Sequence, residues 1–167
     1  MAPSLRSLTP ADLPDVEAVL AANRPVFTDV ECRTALELVR EGLANPGDED
    51  PYQLLAAEEG GRVVGYACFG SIPLTEGAYD LYWIAVTPGA QGRGVGRALC
   101  LGVEEVIARQ GGRLVVVEAS SRAGHDRACR FYEKTMRYET VARVRDFYWQ
   151  GNDKIVYVRY LAKAEER

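Results

Sequence analysis

The sequence predicts an α/β (α+β) domain. Strand-like apolar segments and helix-like amphipathic segments are interleaved along its whole length. Breaker pairs such as Pro88-Gly89 and Gly111-Gly112 separate those segments. With 167 residues, 47% hydrophobic and 26% charged, the chain has material for one ordinary core, and 1–167 reads as a single domain.

Ser4 to Leu8 predicts a short first strand. Thr9-Pro10-Ala11-Asp12 reads as an N-cap, a proline at the first helical position and an acid in the first turn. Leu13, Val16, Val19 and Leu20 supply that helix's apolar stripe. Thr28-Asp29-Val30-Glu31 is a capping box for a second helix, running to about Leu43. The stretch 44–51 is dense in breakers and acids and reads as a solvated loop. Tyr52 to Glu58, the turn Glu59-Gly60-Gly61-Arg62 and Val63 to Gly70 form a β-hairpin pattern.

Ala78 to Val86 predicts the next strand, followed by a glycine-rich loop and a helix from Val95 to Arg109. Val95, Ala98, Leu99, Gly102 and Val106 fall on one face of that helix, with Glu105 and Arg109 placed to pair on the other. Leu114 to Glu118 is a continuous apolar strand of the kind buried on both faces. A helix from His125 to Thr135 and strands at Thr140–Val144 and Ile155–Leu161 complete the chain.

A net charge of -4 argues against general binding of nucleic acid or an anionic membrane. There is no apolar run of membrane-spanning length, and the first residues lack the apolar core of a signal peptide. Cys32, Cys68, Cys100 and Cys129 are widely spaced, and His125 is the single histidine, so a metal site is not expected. The separated thiols suit a reducing cytoplasm and read as buried spectators.

The segment Ile84-Ala85-Val86-Thr87-Pro88-Gly89-Ala90-Gln91-Gly92-Arg93-Gly94-Val95-Gly96-Arg97 carries the chemistry. Glycines leave main-chain N–H groups open to close approach. At a helix start those groups lack intrahelical partners, and the dipole favours an anion. Arg93 and Arg97 add positive charge, so the loop is suited to phosphate. A nucleotide-triphosphate loop would need Gly-Lys-Ser/Thr where Gly96-Arg97-Ala98 stands. A dinucleotide fingerprint starting at Gly92 fails because Arg97 occupies the place of its third glycine.

Gln91-x-x-Gly94-x-Gly96 after an Ile-Ala-Val strand end instead resembles the pyrophosphate loop of the GNAT superfamily of acyl-CoA N-acyltransferases. The order of elements resembles that fold from end to end. The resemblance implies a mixed central sheet of about seven strands with flanking helices and a splay between the fourth and fifth strands. It also implies acetyl-CoA as co-substrate, with the backbone of Ile84, Ala85 and Val86 facing pantetheine. Gln91, Gly92, Arg93, Gly94, Val95, Gly96 and Arg97 are then the pyrophosphate loop. His125 stands where many relatives carry an asparagine contacting pantetheine; a capping or surface role is the alternative.

The implied reaction is acetyl transfer to a primary amine by direct attack in a ternary complex. The acceptor is a small-molecule amine or a protein or peptide amine, and homodimerisation is left open. The runner-up is a catalytically silent acyl-CoA-binding or regulatory module. Catalysis requires removal of a proton from the ammonium and stabilisation of the departing thiolate. Tyr132, in Arg130-Phe131-Tyr132-Glu133-Lys134, resembles the family tyrosine that points at the coenzyme sulfur, although it also lies on an apolar helical face. For the base, Asp80, Tyr82, Glu118 and a water chain all remain open.

Arg127, Arg130, Lys134 and Arg137 form a basic stripe, read either as a solvated face or as a dock for the coenzyme's 3′-phosphate. Where the family commonly has Leu-Gly-Phe after the tyrosine helix, this chain has Met136-Arg137-Tyr138, which puts an αL helix ending in question. Tyr148 and Trp149 are read as pocket lining or as a hairpin end, near a loop that borders the acceptor site in similar proteins. Asp29, Glu31 and the acidic 48–50 stretch are candidates for attracting a cationic amine.

Overall fold

Thr28 caps a helix in the manner its sequence predicts. Its Oγ1 accepts from the Glu31 N–H at 3.2 Å, and Glu31 Oε2 accepts from the Thr28 N–H at 2.7 Å. The computed structural model describes residues 3–24, 26–45 and 52–161. Its elements are β1 (Ser4–Ser7), α1 (Leu13–Ala22), α2 (Asp29–Ala44), β2 (Gln53–Glu59), β3 (Arg62–Ser71) and β4 (Ala78–Val86), then α3 (Val95–Arg109), β5 (Leu114–Ser120), α4 (Asp126–Arg130), β6 (Glu139–Trp149) and β7 (Asn152–Tyr160). Strand order in the seven-stranded sheet is β1-β2-β3-β4-β5-β7-β6. The β4–β5 pair is parallel, whereas β1–β2, β2–β3, β5–β7 and β6–β7 are antiparallel. The sheet is therefore mixed, as expected.

Contacts divide the chain into two compact units. The first holds Met1–Gly70 and Tyr82–Glu105. Its core gathers Val16, Val19 and Leu20 of α1, Cys32, Ala35 and Val39 of α2, and Ala56, Val63, Tyr66 and Ala85 of the strands. Burying a valine such as Val16 or Val39 contributes about 1.5–3 kcal/mol. The β2–β3 hairpin turns through Gly60 and Gly61, at φ 58° and 78°, a backbone that glycine adopts without a Cβ clash.

The Thr9 cap opens a short 3₁₀ turn, Pro10–Asp12, that leads into α1. Asp12 Oδ2 accepts from both the Thr9 N–H and its hydroxyl at 2.8 Å. The Arg6 guanidinium donates to both Asp12 oxygens at 2.8 and 2.9 Å. This fork holds the Asp12 carboxyl well below the usual carboxylate range.

The second unit holds Ser71–Leu81 and Val106–Arg167. There the β4–β5 ladder pairs Ala78, Tyr79 and Asp80 with Leu114, Val115 and Val116. β7 then runs along the whole of β5, from Leu114↔Tyr160 to Ser120↔Lys154.

The structure corrects the sequence reading at five points. β5 is not buried on both faces: Val115, Val117 and Ala119 are buried, but Glu118 is exposed. The predicted 125–135 helix is two pieces, α4 and a π-helical turn at Phe131–Thr135. β6 and β7 extend through 145–149 and 152–154, beyond the strands expected at Thr140–Val144 and Ile155–Leu161. The inward face of α3 is Val95, Leu99, Cys100, Val103 and Ile107, whereas Ala98, Gly102 and Val106 are only partly covered. Cys129 is half-buried, with Sγ 3.9 Å from the Ser120 carbonyl, while the other three cysteines are buried.

Candidate active site

The glycine loop is built in the first unit. After β4, Thr87 N–H donates to the Val64 carbonyl at 2.8 Å, and Pro88–Ala90 makes one 3₁₀ turn. Gly92 and Gly94 then take φ of 77° and 88°, a backbone that side-chain-bearing residues rarely adopt. The Gly94 carbonyl receives the first α3 hydrogen bond, from Ala98 N–H at 2.9 Å. Gly94 therefore stands at the N-cap of α3 with no side chain to close the turn. A Cβ placed there would meet nothing within 4 Å, so the start of α3 opens onto free space.

The side chains around this loop divide their roles. Gln91 Nε2 donates to the Val86 carbonyl at 2.8 Å and to Asn23 Oδ1 at 3.0 Å. Asn23 Nδ2 donates in turn to Val86 O at 3.1 Å and Val19 O at 2.8 Å. The Gln91 amide therefore braces the loop against the end of β4 and the end of α1. Asn23 was not singled out from sequence, although an Asn just past a helix is a recognisable cap signal. Arg93 pairs with Glu59 at 3.0 Å, and Arg97 is exposed on the first turn of α3. Ala85 is buried, and Ile84 and Val86 are half-buried. Tyr82 packs edge-on to Tyr52, with ring centroids 5.4 Å apart.

In the second unit Tyr132 lies in the π-helical turn, which an i to i+5 bond defines: Met136 N–H donates to Phe131 O at 2.9 Å. Tyr132 is buried and stacks on Tyr157 at 5.6 Å, with Phe131 and Tyr138 rings at 5.2 and 5.8 Å. Tyr157 donates to Glu133 Oε1 at 3.0 Å, which fixes the ring on which Tyr132 lies. Arg137, φ 56°, supplies an αL ending to this turn without the glycine usual for it. His125 precedes α4; its N–H donates to Arg122 O at 3.0 Å, and its side chain makes no capping bond. Arg127, Arg130, Lys134 and Arg137 are all exposed, but the π turn interrupts the regular spacing expected of their stripe.

Two of the candidate bases come together in this unit. Asp80 pairs in register with Val116, two residues before Glu118, so both carboxylates project from one face of the sheet. Glu118 Oε1 is 2.6 Å from Lys154 Nζ, and that ammonium lies 4.4 Å from the Phe147 ring centroid. Burial, then the negative Glu118, raise the Asp80 carboxyl above the ordinary carboxylate value, while Lys154 opposes them. Lys154 was missed because Gly151-Asn152-Asp153 reads as turn and masks the strand alternation beyond it.

Asn152 and Asp153 are in fact buried. Ser120 Oγ donates to Asn152 Oδ1 at 2.6 Å, and Asp153 accepts from Arg143 Nε at 2.6 Å and Asp146 N–H at 2.9 Å. Tyr148 and Trp149 are exposed at the β6–β7 hairpin end. Asp29 and Glu31 open α2, where Asp29 pairs with Arg24 at 3.2 Å. The acidic 48–50 stretch lies outside the described residues. Among the described residues no cluster suited to a metal ion occurs, and no helix is long and apolar enough to cross a membrane.

Residues 16–138 match the family described as Acetyltransferase (GNAT) family. A solved protein assigned to the GNAT family, from Desulfovibrio desulfuricans, is 38% identical; the alignment covers 96% of this chain and 100% of that one, with a TM-score of 0.88. The ribosomal-protein-S18-alanine N-acetyltransferase of Escherichia coli shares the fold at 22% identity, 98% and 97% coverage and TM-score 0.73. So does yncA of Salmonella typhimurium, solved with its cofactor acetyl-CoA, at 20% identity, 99% and 98% coverage and TM-score 0.70. No curated protein matches the sequence.

Proposed function

The chain belongs to the GNAT family of acetyltransferases, and from that premise we propose that it transfers an acetyl group from acetyl-CoA to a primary amine. The observation that carries this reading is the glycine loop at the open start of α3, inside the family match. Main-chain N–H groups of 92–97 suit a pyrophosphate, because a helix start without a capping side chain leaves donors and a positive dipole end available. Arg97 adds a cation there, and the backbone of Ile84, Ala85 and Val86 takes the pantetheine arm. His125 is a further candidate contact to that arm.

Acetyl-CoA supplies an activated thioester; the protein's own task is to move protons and hold the partners. Of the candidate bases, Asp80 is favoured, since a carboxyl held above the ordinary carboxylate value is a stronger proton acceptor once ionised. Glu118, Tyr82 and a water chain are the other routes. Tyr132 is assigned to the departing thiolate. Coenzyme A has a thiol about as acidic as free cysteine, so this assistance is modest, roughly a factor of 10². The acceptor is a small-molecule amine or the amine of a protein or peptide.

Mixing the protein with acetyl-CoA and a panel of amines, and following release of free CoA thiol, tests this. Acceptor-dependent release is expected. Binding of acetyl-CoA without release on any amine would instead support a silent acyl-CoA-binding module.

A further inference from the structure

Lys154 is an unusual lysine. Its side chain is only 17% exposed, well covered for a residue type that usually lies at the surface. Its partner Glu118, at 2.6 Å, is itself 48% exposed, and the Phe147 ring covers the ammonium at 4.4 Å. The strand that carries it is fixed: Lys154 sits opposite Ser120, and the adjacent Asp153 donates its N–H to Ser121 Oγ at 2.8 Å and accepts from the Ser121 N–H at 3.0 Å. Asp80, Glu118 and Lys154 project from one face of three neighbouring strands, β4, β5 and β7.

We propose, on the acetyl-transfer reading above, that Lys154 is a positioning residue that engages Glu118 as a permanent ion pair and so leaves Asp80 as the carboxylate that accepts the substrate's proton. In that step an N–H bond of the acceptor ammonium breaks, an O–H bond forms on Asp80, and the electron pair stays on nitrogen for attack. Asp80 later returns its proton to solvent.

The charges acting on Asp80 are Glu118 from β5 and Lys154 from β7, and they act in opposite senses. Removing each should therefore move Asp80 in opposite directions, which a merely structural role would not do. Lys154→Met deletes the opposing cation and raises the Asp80 midpoint. Glu118→Gln deletes the carboxylate that raises it, freeing Lys154 to act on Asp80 alone, and lowers the midpoint. Lys154→Arg keeps the charge and the contact with the Phe147 ring.

The test is a carbon-13 carboxyl titration of Asp80 by NMR in the intact protein and these variants, alongside the pH profile of kcat/KM on a competent amine. The expected result is opposite midpoint shifts, with the acid limb following. On the acid limb of the wild-type profile, activity of Lys154→Met should be down roughly three- to tenfold and restored in Lys154→Arg. Lys154→Gln carries the same prediction should the Met variant not fold. Shifts in the same direction, or an Asp80 signal unmoved by losing Lys154, overturn the assignment. Opposite shifts in a protein that acetylates no amine would uphold the charge arrangement and overturn the acetyl-transfer reading instead.

Discussion

Gln91 Nε2 donates to the carbonyl oxygen of Val86 at 2.8 Å, closing the glycine loop back onto the strand that leads into it. The Gln91 amide thus has two partners within the protein, the end of β4 and Asn23. Gln91→Ala should keep the fold and weaken acetyl-CoA about tenfold or more, because it removes both internal hydrogen bonds of the amide, to Val86 and to Asn23. Calorimetric titration measures this; wild-type affinity in the variant would show that the brace is dispensable.

The loop glycines should be more sensitive. Gly94→Val forces a β-branched residue into φ 88°, and Gly96→Trp crowds the first turn of α3. Each should cost acetyl-CoA affinity about a hundredfold or more. A folded Gly96→Trp protein that binds acetyl-CoA normally would place the coenzyme elsewhere.

Tyr132→Phe retains the ring that stacks on Tyr157 and removes only the hydroxyl. Folding and acetyl-CoA binding should survive, while turnover falls by roughly 10–10³. Either undiminished turnover or loss of folding would make Tyr132 a core residue whose hydroxyl serves structure.

Asp80→Asn separates stability from activity. Because its folded value is raised, ionised Asp80 opposes folding; its favourable contribution is complete below the unfolded value and is lost as pH rises through the folded one. At neutral pH the asparagine variant should therefore melt higher than wild type while its rate falls by roughly 10²–10⁴. A variant that is less stable at pH 7, or fully active, contradicts this.

Arg137 ends the π turn at φ 56°, where a Cβ is unfavourable. Arg137→Gly should relieve that strain and stabilise the protein by about 1 kcal/mol. Chemical denaturation reads this directly, and a lower midpoint would mean that the arginine side chain outweighs the strain.

How far the chain could be read in advance follows the range of the interactions. Thr28 and Glu31, the paired glycines of the β2–β3 turn, and the glycines at 92 and 94 act within a few residues of themselves, and each appears where local rules place it. The same locality made the glycine-loop motif and the order of strands and helices legible in the sequence.

The sequence by itself determined the element order, the helix starts and the left-handed glycines of the loop, because capping, glycine conformation and apolar periodicity are short-range. Only the tertiary structure decided what depends on distant partners. The Gln91 amide meets Asn23, 68 residues away in sequence. Lys154 meets Glu118 only because β7 lies antiparallel beside β5. The 125–135 helix breaks into a π turn that sets Tyr132 against Tyr157, a partner on β7 that helical periodicity alone cannot reveal.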